Sequence, residues 1–531
     1  MYKIDRTILT RKIQNRKTQL AIIFFFSLIY KQNDLIRHIY YFKNFIMYEN
    51  KIQIIRNKFY GIFYKLPYIK DKVKKEVSIF NNNMKSELSK KHEPYNLIIE
   101  PDISLHGLSE SDLVSKLSKL KTCGVNKELK FVSGAIYNKN EKEIDLMKKI
   151  LPFFFKSNPL HPELFPQISF LEKNIIKSVA KLFHGDKNVA GCITSGGTES
   201  IICACYAYKK YGLNKGIKNP EIIAPVSIHA AFDKAANFFG IKLNKIPINL
   251  DNTIDFNILK SYINNNTILL ACSAPSYAHG LIDDIESFSK IALKYNIPLH
   301  VDACLGGFLL PFAENKVKYD FELEGVTSIS ADTHKYGYTP KGSSILLYRN
   351  SELYKNQIFV QSQWNGGIYA TPTIPGSRSG NNIVFTWAFL NYYGINGYKE
   401  KTKLVVDTLH KIKKRIINIS EIEIIGDPVL NVIGIKSDVI NIYSLNSEMR
   451  TLGWELNELQ NPQSLHFCIT LNNTKDSTVD KFCNDLNISI QKCLNNPIND
   501  SGKSVYSSTQ KINNEKIIED LAKEYIKNLS N

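Results

Sequence analysis

Ser330-Ala-Asp-Thr-His-Lys-Tyr-Gly-Tyr-Thr-Pro-Lys-Gly-Ser-Ser344 lies between two short apolar runs, Gly325-Val-Thr-Ser-Ile-Ser330 and Ile345-Leu-Leu-Tyr348. The two runs read as strands, and the polar stretch between them as a loop at a strand end. His334-Lys335 sits in that loop among small residues, Tyr336 and Gly337. A solvated surface charge is a poor account of a lysine in this setting. An amine held in a pocket, where it can act as a nucleophile toward a carbonyl carbon, is a better one.

Working outward from that loop, helix-like and strand-like segments alternate. Helical Ser169–Phe183 leads to strand Val189–Ile193, helix Glu199–Tyr211, strand Glu221–Val226 and helix Ala230–Phe239. Strand Ile241–Ile248, helix Phe256–Ile263, strand Thr267–Cys272, helix Ile285–Tyr295 and strand Pro298–Val301 follow. Such alternation predicts an α/β fold with a mostly parallel sheet and ligands at the carboxyl ends of its strands. Beyond it, helix Lys401–Ile419 precedes strands Ile422–Ile425, Val432–Ile435 and His466–Thr470 and helices Ile440–Leu452 and Val479–Leu494, a smaller α+β domain. A last amphipathic helix is expected at Asn514–Leu529. The expected layout is a basic N-terminal arm (1–91), a lead-in segment (92–168), a large ligand-binding domain (169–390) and a C-terminal small domain (391–531).

Three further stretches complement the lysine. Thr194-Ser-Gly-Gly-Thr-Glu-Ser200 joins a strand to a helix. Its glycines allow close backbone approach, and the amides of the new helix point at an oxyanion. Gly196, Gly197 and Thr198 thus form a phosphate cradle, or else an ordinary turn with Thr198 or Ser200 as N-cap. His300-Val-Asp-Ala-Cys-Leu-Gly-Gly307 ends a buried strand with Asp302, which needs a cationic partner or several hydrogen bonds there. The protonated ring nitrogen of pyridoxal phosphate is such a partner, its aldehyde suits Lys335, and its phosphate suits the cradle. His229, opening a helix after a sheet strand, is placed to lie on the cofactor ring.

Other stretches are ambiguous. Ile368-Tyr-Ala-Thr-Pro-Thr-Ile-Pro-Gly-Ser-Arg-Ser-Gly380 is a loop that offers donors to a phosphate or stabilises a turn, and Trp364-Asn-Gly-Gly367 reads as a turn. Ser157-Asn-Pro-Leu-His-Pro-Glu163 carries two prolines that would present Asn158 and His161 at fixed positions, and Tyr137 is a further pocket candidate.

The formal charge of +18 is concentrated in the arm: residues 1–91 carry 20 Lys and Arg against 6 Asp and Glu, the remaining chain 48 against 44. A nucleic-acid-binding body would carry its own basic face, so no nucleic-acid partner is expected. An anionic membrane surface suits the arm better. Its apolar run Leu20–Tyr30 is shorter than the roughly 20 residues a spanning helix needs, and no small-residue cleavage site follows it. Membrane association of the arm is expected, as an anchor or a surface segment. The nine Cys show no CxxC pair, so neither a metal site nor a disulfide framework is legible, and free thiols are expected.

Together these motifs resemble the sphingosine-1-phosphate lyase family, within the fold-type-I, group II decarboxylase-like pyridoxal phosphate enzymes. The resemblance rests on Ser-Ala-Asp-Thr-His-Lys-Tyr-Gly, Thr-Ser-Gly-Gly-Thr-Glu-Ser, Val-Asp-Ala-Cys-Leu-Gly-Gly, Asn-Pro-Leu-His-Pro and Gly-Gly-Ile-Tyr-Ala, and runs from about residue 60 to the C-terminus. It implies that Lys335 carries the cofactor, Asp302 pairs with the ring nitrogen and His229 stacks on the ring. It also implies that Gly196, Gly197, Thr198 and His334 hold the cofactor phosphate, with Ser377 contributing across a homodimer interface. Tyr137, Asn158, His161 and Lys341 would face the phosphate and hydroxyl of a sphingoid base phosphate. The implied reaction is retro-aldol cleavage of the C2–C3 bond, on the cytosolic face of the endoplasmic reticulum membrane. Lys335, His161 and a phosphate oxygen are all open as the base for the C3 hydroxyl. The chain departs from that family in its shorter apolar run, in Asp233 where relatives often have Asn, and in Ser379 where they often have Pro. Two other readings compete: an amino-acid decarboxylase on the same scaffold, and a basic binding protein that has kept an inactive fold.

Overall fold

Seven strands form the central sheet: β1 (Ala190–Thr194), β2 (Glu221–Pro225), β3 (Lys242–Ile246), β4 (Thr267–Ser273), β5 (Leu299–Asp302), β6 (Val326–Ala331) and β7 (Ser344–Tyr348). Their spatial order is β1-β7-β6-β5-β4-β2-β3. Only β7 within this sheet is antiparallel to its neighbours, β1 and β6; β6, β5, β4, β2 and β3 pair in parallel. This computed structural model describes residues 107–122, 131–249, 251–314, 316–495 and 515–529, with scattered helical positions between 75 and 95. The apolar run at 20–30 lies outside them.

Both faces of the sheet are covered, which explains its near-continuous apolar strands. β4 (TILLACS) and β7 (SILLY) are buried at every position. The period of two then assigns alternate residues to opposite faces. Leu269, Ala271, Leu346 and Tyr348 pack in one core with Ala204, Tyr208 and Phe232. Their neighbours Leu270, Cys272, Ile345 and Leu347 pack in the other with Ile175, Val179 and Phe288. Each fully buried Leu, Ile, Val or Phe among them contributes roughly 1.5–3 kcal/mol of transfer free energy.

The covering helices are α1 (Glu141–Phe154), α2 (Pro166–Leu182), α3 (Gly197–Asn214), α4 (Ala231–Phe239), α5 (Phe256–Tyr262) and α6 (Ile285–Tyr295). Asp255 and Asp284 cap α5 and α6 by accepting from backbone amides of the first turn. Gly240 and Asn296 end α4 and α6 in the left-handed conformation.

Two elements differ from expectation. The helix expected at 401–419 begins at Asn381 and runs to Ile416 as α7, broken at Gly394 (φ 58°, ψ −175°). The stretch 359–371 is a hairpin of β8 (Phe359–Trp364) and β9 (Gly367–Thr371), with Trp364-Asn-Gly-Gly367 as its turn. The second sheet, β10 (Glu423–Ile424), β11 (Val432–Lys436), β12 (Asn457–Leu459) and β13 (Ser464–Cys468), is antiparallel with order β10-β11-β13-β12. Helices α8 (Ile442–Thr451) and α9 (Asp476–Asn495) accompany it.

The lead-in strand Phe131–Val132 pairs in parallel with Trp454–Glu455, and Phe131 stacks on Trp454 at 4.3 Å. Residues 126–506 form one compact unit; residues 1–125 with 507–531 form another, whose described helices are Glu110–Thr122 and Glu515–Leu529. Among the described residues no helix is long and apolar enough to cross a membrane. The eight described cysteines are all buried and free.

Candidate active site

The chain leaves β1 at Thr194 and enters α3 at Gly197. Gly196, at φ 154°, stands at the N-cap and no side chain caps the helix there, so neither Thr198 nor Ser200 fills that role. An 18-residue helix therefore presents open amides. Glu199 in its first turn reaches back instead: its carboxylate accepts the Ser195 amide at 2.6 Å and the Ile374 amide at 2.9 Å. One side chain thus ties the cradle to the 371–380 segment. Close side-chain packing explains the glycines. A Cβ on Gly196 would come within 3.1 Å of His334, and one on Gly197 within 2.6 Å of Cys304 Sγ and 3.0 Å of both Asp332 carboxylate oxygens.

Strand ends β5 and β6 supply the groups facing the cradle. Gly196, Gly197, Thr198, His229, Asp302, His334 and Lys335 all line one cavity of about 330 Å³, with Tyr277, Cys304 and Asp332. Asp302 is buried at the tip of β5, where Oδ1 accepts the Cys304 amide at 3.1 Å. Lys335 Nζ lies 3.0 Å from Asp332 Oδ2. Burial alone depresses the ammonium, but the Asp332 carboxylate outweighs it and holds the Lys335 pKa above its usual value. His334 accepts the Ser343 amide at Nδ1 (3.2 Å) and turns Nε2 toward Asp332 (3.5 Å). His229 takes the Ala231 amide at Nδ1 and meets the Tyr277 ring edge-on, 6.1 Å between centroids.

The remaining expected residues fall into two groups. Tyr137 is buried, and the Lys341 ammonium lies 4.5 Å from its ring centroid. Burial and then the nearby charge of Lys335 lower the Lys341 pKa. Asn158 and Ser377 form the other group, joined by a 3.0 Å hydrogen bond. His161 is near Asn158 in the chain but is exposed and faces Glu163 at 3.3 Å. None of Tyr137, Lys341, Asn158, His161 and Ser377 lines the Lys335 cavity itself; Tyr137 and Lys341 feel the charge of Lys335 from beside it. Asp233, one of the departures from the family pattern, pairs with Lys245 at 2.7 Å.

Residues 135–436 match the model of the pyridoxal-dependent decarboxylase conserved domain. The chain is 43% identical over 451 residues to sphingosine-1-phosphate lyase 1 of Rattus norvegicus, covering 83% of this chain and 78% of that one. It is 40% identical to sphingosine-1-phosphate lyase of Saccharomyces cerevisiae, covering 80% and 74%. The chain belongs to the sphingosine-1-phosphate lyase family. A solved sphingosine-1-phosphate lyase from Burkholderia pseudomallei superposes with TM-score 0.72 at 33% identity, over 76% of this chain and 95% of that one. A glutamate decarboxylase from Lactobacillus brevis, 20% identical with TM-score 0.66 over 75% and 96%, shares the fold.

As in this family, the cofactor is pyridoxal phosphate, and the donor set fits it. The uncapped N-terminus of α3 suits its phosphate, the buried Asp302 its protonated ring nitrogen, and Lys335 its aldehyde. Two groups that hold the cradle and its lysine are not among the expected site residues. Asp332 was visible three residues before Lys335, but nothing in the sequence distinguished it from a turn former. Arg378 is paired with Glu172 of α2 at 2.8 Å and donates to the Ile193 carbonyl at 2.7 Å. It fixes the Ser377 segment onto β1, and a separation of 206 residues hides that pairing from local pattern.

Proposed function

We propose that the chain cleaves the C2–C3 bond of sphingoid base 1-phosphates, releasing a long-chain aldehyde and phosphoethanolamine. The observation that carries this reading is the Lys341–Tyr137 pair beside Lys335. The cradle accounts for the cofactor phosphate, and Lys341 offers a second cation for a phosphate on the substrate. An amino-acid decarboxylase has no use for that second site.

When bound, pyridoxal phosphate supplies the sink for the electron pair of the C2–C3 bond. Asp302 holds the proton on its ring nitrogen, Gly196, Gly197, Thr198 and His334 hold its phosphate, and His229 covers its ring. Tyr137, Asn158, His161 and Lys341 bind the substrate phosphate and the C3 hydroxyl. That hydroxyl loses its proton as C3 becomes the aldehyde carbon, and C2 gains a proton before the amine departs.

In this reading two copies complete each site. Asn158, His161 and Ser377 lie outside the cavity of their own chain. Exposed Phe153, Phe155, Leu164 and Phe170 flank them in sequence, and Ile368 of the β8–β9 hairpin is 78% exposed. Burying such side chains against a second copy favours a homodimer. The basic arm would hold the enzyme on the cytosolic face of the endoplasmic reticulum, where a lipid substrate resides.

The test is incubation of full-length protein and Lys335→Ala with a sphingoid base phosphate and, separately, with glutamate, tyrosine and tryptophan. Long-chain aldehyde is expected from wild type and none from the variant. Carbon dioxide from an amino acid, without aldehyde from the lipid, would sink the lyase reading in favour of the decarboxylase.

A further inference from the structure

Asp332 is buried directly behind the glycine cradle. Its Oδ2 lies 3.0 Å from Lys335 Nζ and 3.5 Å from His334 Nε2, and both oxygens would stand 3.0 Å from a Cβ on Gly197. Oδ1 is buried and takes no hydrogen bond of good geometry. A carboxylate in this position repels any anion bound by the cradle. Its two cation-side partners, Lys335 and His334, are the two groups on its loop that the cofactor engages. The Ser343 amide occupies His334 Nδ1, so the ring's hydrogen sits on Nε2, toward Asp332.

We propose that Asp332 is a positioning residue that holds Lys335 as an ammonium in the cofactor-free chain and so sets the pH at which the cofactor loads. This inference rests on the cofactor assignment above. Loading needs the lysine lone pair: nitrogen bonds the aldehyde carbon, and the carbonyl oxygen leaves as water with both hydrogens of the neutral amine. An ammonium has no lone pair to give, so the proton shared with Asp332 must leave first.

The surroundings leave this control to Asp332. Lys335 is faced by Asp332 and His334 on its own loop, by Cys304 after β5, by Tyr137 of the lead-in segment, and by Lys341; Asp302, His229 and Tyr277 line the same cavity. Cys468 of β13 also feels its charge. Burial pushes the thiols of Cys304 and Cys468 and the phenol of Tyr137 upward, so they are neutral near pH 7. Lys341 is a cation and opposes the ammonium. Two carboxylates line the cavity: Asp332 is the one within ion-pair distance of the ammonium, and Asp302 accepts the Cys304 amide instead.

The experiment strips the cofactor from full-length wild type, Asp332→Asn and Asp332→Glu. Each is mixed with pyridoxal phosphate from pH 6 to pH 10, and the growth of the enzyme-bound absorbance band is followed by stopped flow. The wild-type rate is expected to rise about tenfold per pH unit across this range, as for attack by a minor free-amine fraction. Asp332→Asn should load at least tenfold faster at pH 7 with a flatter profile, and Asp332→Glu should restore the slope. Reductive methylation of Lys335 in cofactor-free wild type, read by mass spectrometry, needs no variant and should show the same tenfold rise per pH unit. Equal rates and slopes in wild type and Asp332→Asn, or a methylation rate that does not change with pH, would overturn the role of Asp332 while leaving the cofactor assignment intact. A wild type that takes up no cofactor at any pH would overturn the assignment itself.

Discussion

At the scale of single residues, the site places two buried carboxylates on neighbouring strand ends and gives them different work. Asp302 caps β5 and receives the Cys304 amide; Asp332 follows β6 and faces Lys335. A cation on the ring nitrogen stabilises charge that develops during bond cleavage, so Asp302 acts by electrostatics that strengthen in the transition state. Asp302→Asn should retain the cofactor absorbance band and lose roughly 10²–10³ in turnover, by analogy with removal of one preorganised partner elsewhere. Turnover within a few-fold of wild type would refute that role. Gly197 is constrained by volume and not by backbone angle. A methyl there meets Cys304 Sγ at 2.6 Å and the Asp332 carboxylate at 3.0 Å. Overpacking of this kind costs about 1–3 kcal/mol. Gly197→Ala should therefore melt several degrees lower and release cofactor faster on dilution; an unchanged melting temperature with unchanged cofactor retention would contradict the packing argument.

At the scale of elements, the cradle is precise because long-range ion pairs brace it. Arg378 forks onto both oxygens of Glu172 at 2.8 and 3.0 Å and donates to the Ile193 carbonyl, while Glu172 accepts the Ile193 amide at 2.9 Å. This pair joins α2, β1 and the Ser377 segment, and both side chains are largely buried. Removing one partner of such a pair strands the other charge and typically costs 3–5 kcal/mol. Glu172→Met and Arg378→Met should each lower stability strongly, and the double variant should be less destabilised than the sum of the two. Chemical denaturation of all four proteins measures the coupling; strict additivity would show that the pair does not act as a unit. The same elements show what local pattern could and could not reveal. Helix Ile285–Tyr295 was legible to the residue, because Asp284 caps it, its apolar face is regular and Asn296 ends it. The α3 cradle was legible only beside the lysine and aspartate stretches, since the glycine pair alone reads equally as an ordinary turn. The first half of α7 was not, because Tyr392-Tyr-Gly-Ile-Asn-Gly397 breaks the helical period at the kink. The Arg378–Glu172 brace was invisible for a different reason: its members meet only once the chain has folded.

At the scale of the whole molecule, three buried titratable groups, Asp283, His300 and His466, tilt how stability depends on pH. Burial pushes Asp283 up to about 7, although its carboxylate accepts the Ser273 amide at 2.7 Å. Burial pushes His300 and His466 down to about 4; His466 bonds the Ala278 carbonyl at 2.9 Å. The signs oppose one another. Asp283, with a raised folded pKa, stabilises the fold below its unfolded value and loses that contribution as pH rises toward 7. Each histidine, with a lowered folded pKa, stabilises the fold above its unfolded value of 6.5 and loses that contribution as pH falls toward 4. Between these limits each group tilts the stability curve by about 1.4 kcal/mol per pH unit. Two histidines outweigh one aspartate, so these three groups together make stability rise from pH 4.5 to 6.5. Asp283→Asn removes the opposing proton and should make that rise steeper, by about the same increment per pH unit. Denaturant unfolding of wild type and Asp283→Asn at half-unit steps between pH 4.5 and 7 checks it. Parallel curves would mean that Asp283 does not change its protonation across this window, and that the loop carries its charge through some compensation other than a retained proton.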